Sequence, residues 1–344
     1  MCGKKLKTCS RTSEKSDFFD GLPDDLVVFI LCKLSASASS PSDFINIFST
    51  CKRLNRLALH PLVLSRAGPK AFAIKAKNWC DSAHRFLKLC VNASNVEACY
   101  TLGMIRFYCL QNRGSGASLM AKAAMKSHAP SLYSLAVIQF NGSGASKNDK
   151  DLRAGVSLCA RAAFLGHVDA LRELGHCLQD GYGIRQNITE GRRLLIQANA
   201  RELASFIRSS ATWRSNNCQC LTTGSVSFPL LSDFGCSVPA PEFHPANLFL
   251  KDWFESGRGL LVLGQRLRLC AHSGCGRPET RPHEFRRCSV CGRVNYCSRG
   301  CQALDWKLRH KADCQPIGRW LDLDEDVAGV EVVDGDIDGV GELI

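Results

Sequence analysis

Apolar residues recur along this chain at helical spacing almost throughout. Leu22, Leu26, Ile30 and Leu34 repeat every fourth residue with Phe29 beside them, which makes one stripe on a helix. Pro23 suits the first turn of that helix, where its missing N–H is not needed, and Asp24 and Asp25 sit where the helix dipole favours negative charge. The run Ser35 to Pro41 ends it. A second helix is predicted from near Asp43, burying Phe44, Ile47, Phe48, Cys51 and Leu54 and turning Arg53, Asn55 and Arg56 to its polar side. From Arg66 to Val91 the helical spacing continues, with Phe72, Trp79, Phe86 and Leu89 on apolar faces and His84 on a helix face. Two or three short helices bury little on their own, so a partner is expected to complete the first core.

Between Val96 and Ala204 the pattern repeats. AAMKSH at 123–128 returns as AAFLGH at 162–167, and Gly142-Ser143-Gly144 returns as Gly181-Tyr182-Gly183, both at an offset of 39. The pairs Leu102-Gly103, Leu135-Ala136 and Leu174-Gly175 follow at offsets of 33 and 39. Each unit reads as an apolar helix, a Gly-x-Gly turn, a charged stretch and an Ala-rich second helix. One such hairpin cannot bury its apolar face alone, so about three are expected to stack as a solenoid. The Gly-x-Gly elements are no phosphate loops, because no strand precedes them and no Lys-Ser/Thr follows. After Ile207 the chain turns rich in Ser, Asn, Gly and Pro, as linkers are, with Cys218, Cys220 and Cys236 a weak candidate for a further metal site. Asn247 to Arg268 reads as a helix that leads into the next segment and buries Trp253 and Phe254.

That next segment changes the chemistry. Cys270, Cys275, Cys288, Cys291, Cys297, Cys301, His310 and Cys314 crowd a stretch with little aliphatic bulk, so it needs a covalent or metal staple to fold. Eight ligands suit two tetrahedral structural zincs, each with a full inner sphere that leaves no position for water. A disulfide framework would need an oxidising compartment. The N-terminus has no apolar core of a signal peptide, and no run reaches the length of a membrane span, so a reducing cytoplasm or nucleus is expected. Charge is uneven. Of a net +12, the stretch from Leu321 onward holds nine acids and no Lys or Arg, so the rest carries +21. Between Arg266 and Lys311 eleven bases face three acids. The segment lacks the helix-borne base-reading spacing of DNA-binding zinc modules, so direct sequence-specific DNA binding is not expected.

Three resemblances organise these readings. Leu22-Pro23-Asp24-Asp25-Leu26, the spaced Ile30 and Leu34, and Thr50-Cys51-Lys52-Arg53-Leu54-Asn55 resemble an F-box. That resemblance implies docking on a Skp-type adaptor, through Leu22, Pro23, Leu26, Val27 and Ile30, and so entry into a cullin–RING ubiquitin ligase. The 39-residue units resemble Sel-one-like repeats, relatives of the tetratricopeptide repeat. YCS, CQ, DW and HK-x-x-C, standing in order from Tyr296, resemble a MYND-type zinc finger. In that family the ligand pairs interleave, which implies Cys270, Cys275, Cys297 and Cys301 around one zinc and Cys288, Cys291, His310 and Cys314 around the other. The first pair departs from the family in being C-x4-C, which leaves His272 as an alternative ligand. The family also implies proline-containing peptide partners, met here by Gln302 and Trp306, with Tyr296 adding aromatic surface; core packing is an equal alternative for Trp306.

The expected fold is mainly α. It runs as a disordered N-terminus (1–17), F-box helices (18–66), a helical connector (67–95), an α-solenoid of tetratricopeptide-related hairpins (96–206), a linker (207–246), a helical lead-in (247–268), a two-zinc MYND finger (269–314) and a disordered acidic tail (315–344). No catalytic constellation accompanies these modules, and the set resembles a small group of plant F-box proteins. It implies a non-catalytic substrate receptor of a Skp–cullin–F-box ligase; the rival is a nuclear transcriptional co-regulator acting through the finger. Methyl transfer is not expected, because no SET-type cofactor motif is present. Chelation is expected to unfold the finger and leave the solenoid standing.

Overall fold

The computed structural model describes residues 21–144, 146–209, 243–258 and 267–316. The segment 1–17, the cysteines at 218, 220 and 236, and the acidic stretch from Leu321 lie outside the described residues. The first helix, α1 (Asp24–Ser37), starts behind Pro23 and carries its two aspartates in the first turn. Arg53 and Arg56 reach back to Asp24 at 2.8 and 2.9 Å, tying the start of α1 to α3 (Lys52–Ala58). The single second helix expected from Asp43 is broken in three. Ser40 and Asp43 form a capping box that starts α2 (Pro41–Ile45), a 3₁₀ turn covers Asn46–Ser49, and Cys51 then adopts extended backbone and caps α3 with its thiol. A capping residue faces the helix end, so Cys51 is exposed, not buried as the periodicity predicts. Beyond α4 (Pro61–Arg66), Leu89 on α5 (Asp81–Asn92) is exposed as well.

These helices do not wait for a partner to complete their core. Val27, Leu31, Phe44, Leu57 and Val63 share one apolar cluster with Leu87, Leu102, Met104 and Met120 further along the chain. Buried Asn95 ties the join. Its amide donates to the carbonyls of Leu64 and Ala67 at 2.8 and 2.9 Å, and its oxygen caps α6 (Val96–Met104). The expected lead-in helix, α12 (Pro245–Glu255), returns to this same core with Phe249, Leu250 and Trp253 buried. Asp252 accepts from Ala76 N–H at 2.7 Å, and Trp79 meets Phe249 edge to face.

The repeats keep their register to the residue. Helices α7 (Arg113–Met125) and α8 (Ala129–Asn141) reappear as α9 (Leu152–Phe164) and α10 (Val168–Asp180), each shifted by the 39 residues of the sequence offset. His128 and His167 are the matching N-caps, and Gly142 and Gly181 the matching left-handed C-caps with φ of +60° and +67°. Helix α11 (Ile188–Ser209) closes against α10 through Gly175 and Gly191; a Cβ on either would meet the other's carbonyl at 3.0 or 2.7 Å. Small residues there set how closely the hairpin shuts.

His167 carries a pH dependence. Burial pulls its imidazole down to about 4, with Arg277 adding to the effect and Asp169 opposing it, while the ring stacks on Tyr133 at 4.9 Å. Below the ordinary 6.5 the unfolded chain therefore binds more protons than the folded one. Stability from this group is full above pH 6.5 and falls as pH drops towards 4, by about 2 kcal/mol after discounting for partial exposure. A His167→Asn chain, which keeps a capping side chain, is expected to melt with a shallower pH dependence over that window. Equal slopes in pH-dependent thermal melts would refute it.

Candidate functional site

The finger is built on a two-stranded ribbon, β1 (Arg286–Arg287) against β2 (Asn295–Tyr296), followed by α13 (Arg299–Asp305) and a π turn (Trp306–His310). Ser298 caps α13 and so presents Cys301 towards Cys297. The eight ligand candidates gather in two groups, Cys270–Cys275–Cys297–Cys301 and Cys288–Cys291–His310–Cys314, with the ligand atoms of each group within 4.8 Å of one another. Cys275 and Cys297 sulfurs are 3.4 Å apart, Cys297 and Cys301 3.7 Å, Cys288 and Cys314 3.8 Å, and Cys291 lies 3.4 Å from His310 Nε2. A disulfide would need about 2.0 Å. A tetrahedral zinc with Zn–S bonds of about 2.3 Å places its sulfurs about 3.8 Å apart. The donor types and spacing fit two zinc ions. His272 is outside both groups. The extra residues of the C-x4-C pair make a turn in which Cys275 N–H donates to His272 carbonyl at 3.0 Å, so Cys275 reaches the cluster and His272 turns its ring towards Phe243.

The finger lies on the repeats, and residues that the sequence did not single out hold it there. Arg277, 3% exposed, donates to Cys275 Sγ at 3.3 Å and to Ser134 Oγ at 2.9 Å while lying over the Tyr133 ring. Four thiolates around a divalent ion would carry a net charge of about −2, and a buried cation beside them offsets part of it. Glu173 accepts from Gly300 and Arg299 N–H at 2.5 and 3.2 Å, so a carboxylate of α10 sits at the N-terminus of the ligand-bearing α13. Burial pushes the Glu173 carboxyl up, and the donors from Gly300, Ser298 and Arg299 pull against it. Asn141 donates to Cys297 carbonyl at 2.8 Å, and Arg281 donates to the carbonyls of Asn141 and Gly142 at 2.6 and 2.7 Å. Arg299 pairs with Asp180 at 2.6 Å and lies 3.7 Å over the Tyr182 ring.

The repeat register explains which residues do this. Ser134 and Glu173 are 39 apart, and so are Asn141 and Asp180, so equivalent positions of α8 and α10 contact the finger. A sequence signal was available: polar side chains stand at positions where the helical stripe calls for burial.

The residues read from sequence as partner contacts fall on two surfaces, one on α1 and one on the finger. On α1, Val27 and Leu31 point into the core, whereas Leu26, Phe29 and Ile30 are 49%, 61% and 41% exposed. Val27, at 1% exposed, is thus removed from the contact set that the resemblance implied; the other members, Leu22 (half-buried), Pro23, Leu26 and Ile30, stay accessible. On the finger, Gln302 is half-buried and Trp306 is 37% exposed, and both line a groove of about 380 Å³. Tyr296 does not add exposed surface: it is buried, and its hydroxyl donates to Asp305 at 2.8 Å.

Among known proteins, the plant tetratricopeptide repeat model matches residues 70–168 and the MYND finger model matches residues 270–314. An F-box protein of Arabidopsis thaliana is 66% identical over 96% of this chain and 89% of its own length. A second Arabidopsis F-box protein is 65% identical over 89% of this chain and 88% of its own. A Sel1 repeat protein from Oxalobacter formigenes superposes with a TM-score of 0.36 at 14% identity, over 52% of this chain and 70% of that one.

Proposed function

We propose, from the premise that this chain belongs to the plant F-box protein family and carries repeats and a C-terminal MYND finger, that it is a non-catalytic substrate receptor of a Skp–cullin–F-box ubiquitin ligase. The observation that carries the reading is the division of α1 into two apolar faces. One face is spent on the chain's own core; the other leaves Leu26, Phe29 and Ile30 in water. Large apolar side chains exposed together on one helix mark a docking surface. Each would contribute about 1.5–3 kcal/mol when covered. The Skp-type adaptor would cover that face, the ubiquitin chemistry would belong to the RING partner, and the surface where finger and repeats meet would hold the target.

The proposal is tested by co-expression with a Skp-type adaptor. A Leu26→Asp/Ile30→Asp chain is expected to fold and to lose the adaptor, since both side chains sit outside the core. A Val27→Asp chain is expected to fail differently, by unfolding, because it places a charge in the core. An adaptor that co-purifies equally with the double variant and the parent would contradict the assignment.

A further inference from the structure

We infer that the face of the finger around its second ligand group is a docking surface for the chain's own acidic stretch, Asp322 to Glu342, which holds that face against foreign polyanions. The acids and bases of the finger are sorted by depth. Glu279, Glu284 and Asp305 are buried and accept hydrogen bonds from the backbone of Phe285, from Thr280 and from Tyr296. The bases lie at the join or outside it. Arg277, Arg281 and Arg299 are taken up by the repeats, and Arg286 lines the seam with them. That leaves Arg287, Arg293 and Lys311. All three are exposed, and among the described residues their side chains have no hydrogen-bonded or ion-paired partner.

The second ligand group gathers these three bases. Arg287 directly precedes Cys288, Arg293 stands two residues after Cys291, and Lys311 directly follows His310. The ligand atoms of Cys288, Cys291, His310 and Cys314 lie within 4.8 Å of one another. Consecutive Cα atoms are about 3.8 Å apart, so the three bases stand around one point. A zinc held by three thiolates and an imidazole would carry a net charge of about −1, which three cations exceed. The exposed Asp313 is already paired with Arg309, at 3.9 Å. The chain leaves the finger at that same point. Cys314 is the fourth member of the group, and Asp322 follows eight residues later, an extended reach of about 28 Å. From Leu321 onward the sequence holds nine acids and no Lys or Arg. An anion on so short a tether meets the bases at an effective concentration on the order of millimolar, whereas a separate polyanion has to compete for them. Charge complementarity and tether name the same occupant. A basic finger that carries its own anion is kept from the indiscriminate nucleic-acid binding that charge alone would bring.

The test measures how full zinc-loaded chains bind a fluorescent single-stranded DNA of mixed sequence. Four chains are compared: the parent, one with the nine acids changed to Asn or Gln, Arg287→Ala/Arg293→Ala/Lys311→Ala, and the two sets combined. Neutralising the acids is expected to tighten binding about ten-fold at low salt. Each phosphate contact adds about 0.7 to the slope of log K against log salt, so uncovering three bases is expected to steepen it by about 2. In the triple-Ala background the same neutralisation is expected to change little, because the face is gone. Carbodiimide coupling locates the stretch in the parent itself. Lys311 is expected to join to an acid of 322–342 within one chain, as a mixture of isotope-labelled and unlabelled protein shows. Equal DNA affinity with and without the acids would overturn the inference. So would a tightening that survives the triple substitution, which would reflect overall charge and not this face. Couplings that join two copies, or that favour other lysines over Lys311, would seat the acids elsewhere and overturn it too.

Discussion

An Arg277→Ala chain is expected to lose about 3–5 kcal/mol of stability and to hold its metals about 10- to 100-fold less tightly. Three losses fall together. The thiolate cluster loses the guanidinium that donates to Cys275, Ser134 is left with Tyr100 as its partner, and Tyr133 loses the cation over its ring and keeps the stacked His167. All of this occurs where solvent cannot enter to compensate, since Arg277 is buried. Removing one member of a buried charge pair costs far more than the pair contributes, because the other member stays behind without a partner. Arg277→Lys would restore the charge but not the planar fork that reaches Cys275 and Ser134 at once, so it is expected to recover only part of the loss. Thermal melting and competition with a zinc chelator measure the two effects; a variant within about 1 kcal/mol of the parent would mean that finger and repeats do not depend on this contact.

Zinc removal is the second large effect, and it differs from what the sequence alone suggests. Read as separate modules, the finger should unfold under chelation and leave the solenoid standing. The structure joins them. Tyr133, Leu171, Leu174 and Leu178 of the repeats share a core with Phe285, Tyr296 and the ligand cysteines. Structural zinc supplies about 10–16 kcal/mol of apparent binding free energy per site, so the finger is not expected to persist without it. Its departure would uncover Glu173, Asn141 and the apolar face around Tyr133. Hydrogen exchange after chelation is therefore expected to rise in 270–314 and, with it, in α8 and α10, while the core around Val27, Leu102 and Phe249 keeps its protection. Protection in α8 and α10 that survives loss of the finger would restore the picture of independent modules.

The parts of the fold that were legible from sequence are those fixed by spacing along the chain. An offset of 39 places α9 on α7 and α10 on α8 without any knowledge of packing. The eight ligand candidates were legible because thiols and an imidazole at short intervals have few other uses. The face of α1 was not: from Leu26 to Cys32 every residue is apolar, so several stripes fit and only the neighbours decide that Val27 and Leu31 go inward. Nor was the return of α12 to the first core. Its apolar face shows that it packs, but nothing in its own period shows against what. The docking of finger on repeats lay between these cases, since Ser134 and Glu173 recur in register but Arg277 stands in a loop with no periodic signal.

The account rests most on the claim that the exposed face of α1 engages a Skp-type adaptor while the Trp306 surface of the finger does not. Titration of purified adaptor into three chains tests it: the parent, Leu26→Asp/Ile30→Asp, and Trp306→Ala. Covering two apolar side chains is worth about 3–6 kcal/mol, so the double variant is expected to bind about a hundred-fold more weakly or worse, with its melting temperature unchanged. Trp306→Ala is expected to bind the adaptor as the parent does. A parent chain that is folded yet binds no adaptor, or an affinity that falls with Trp306→Ala and not with the double variant, would contradict the account.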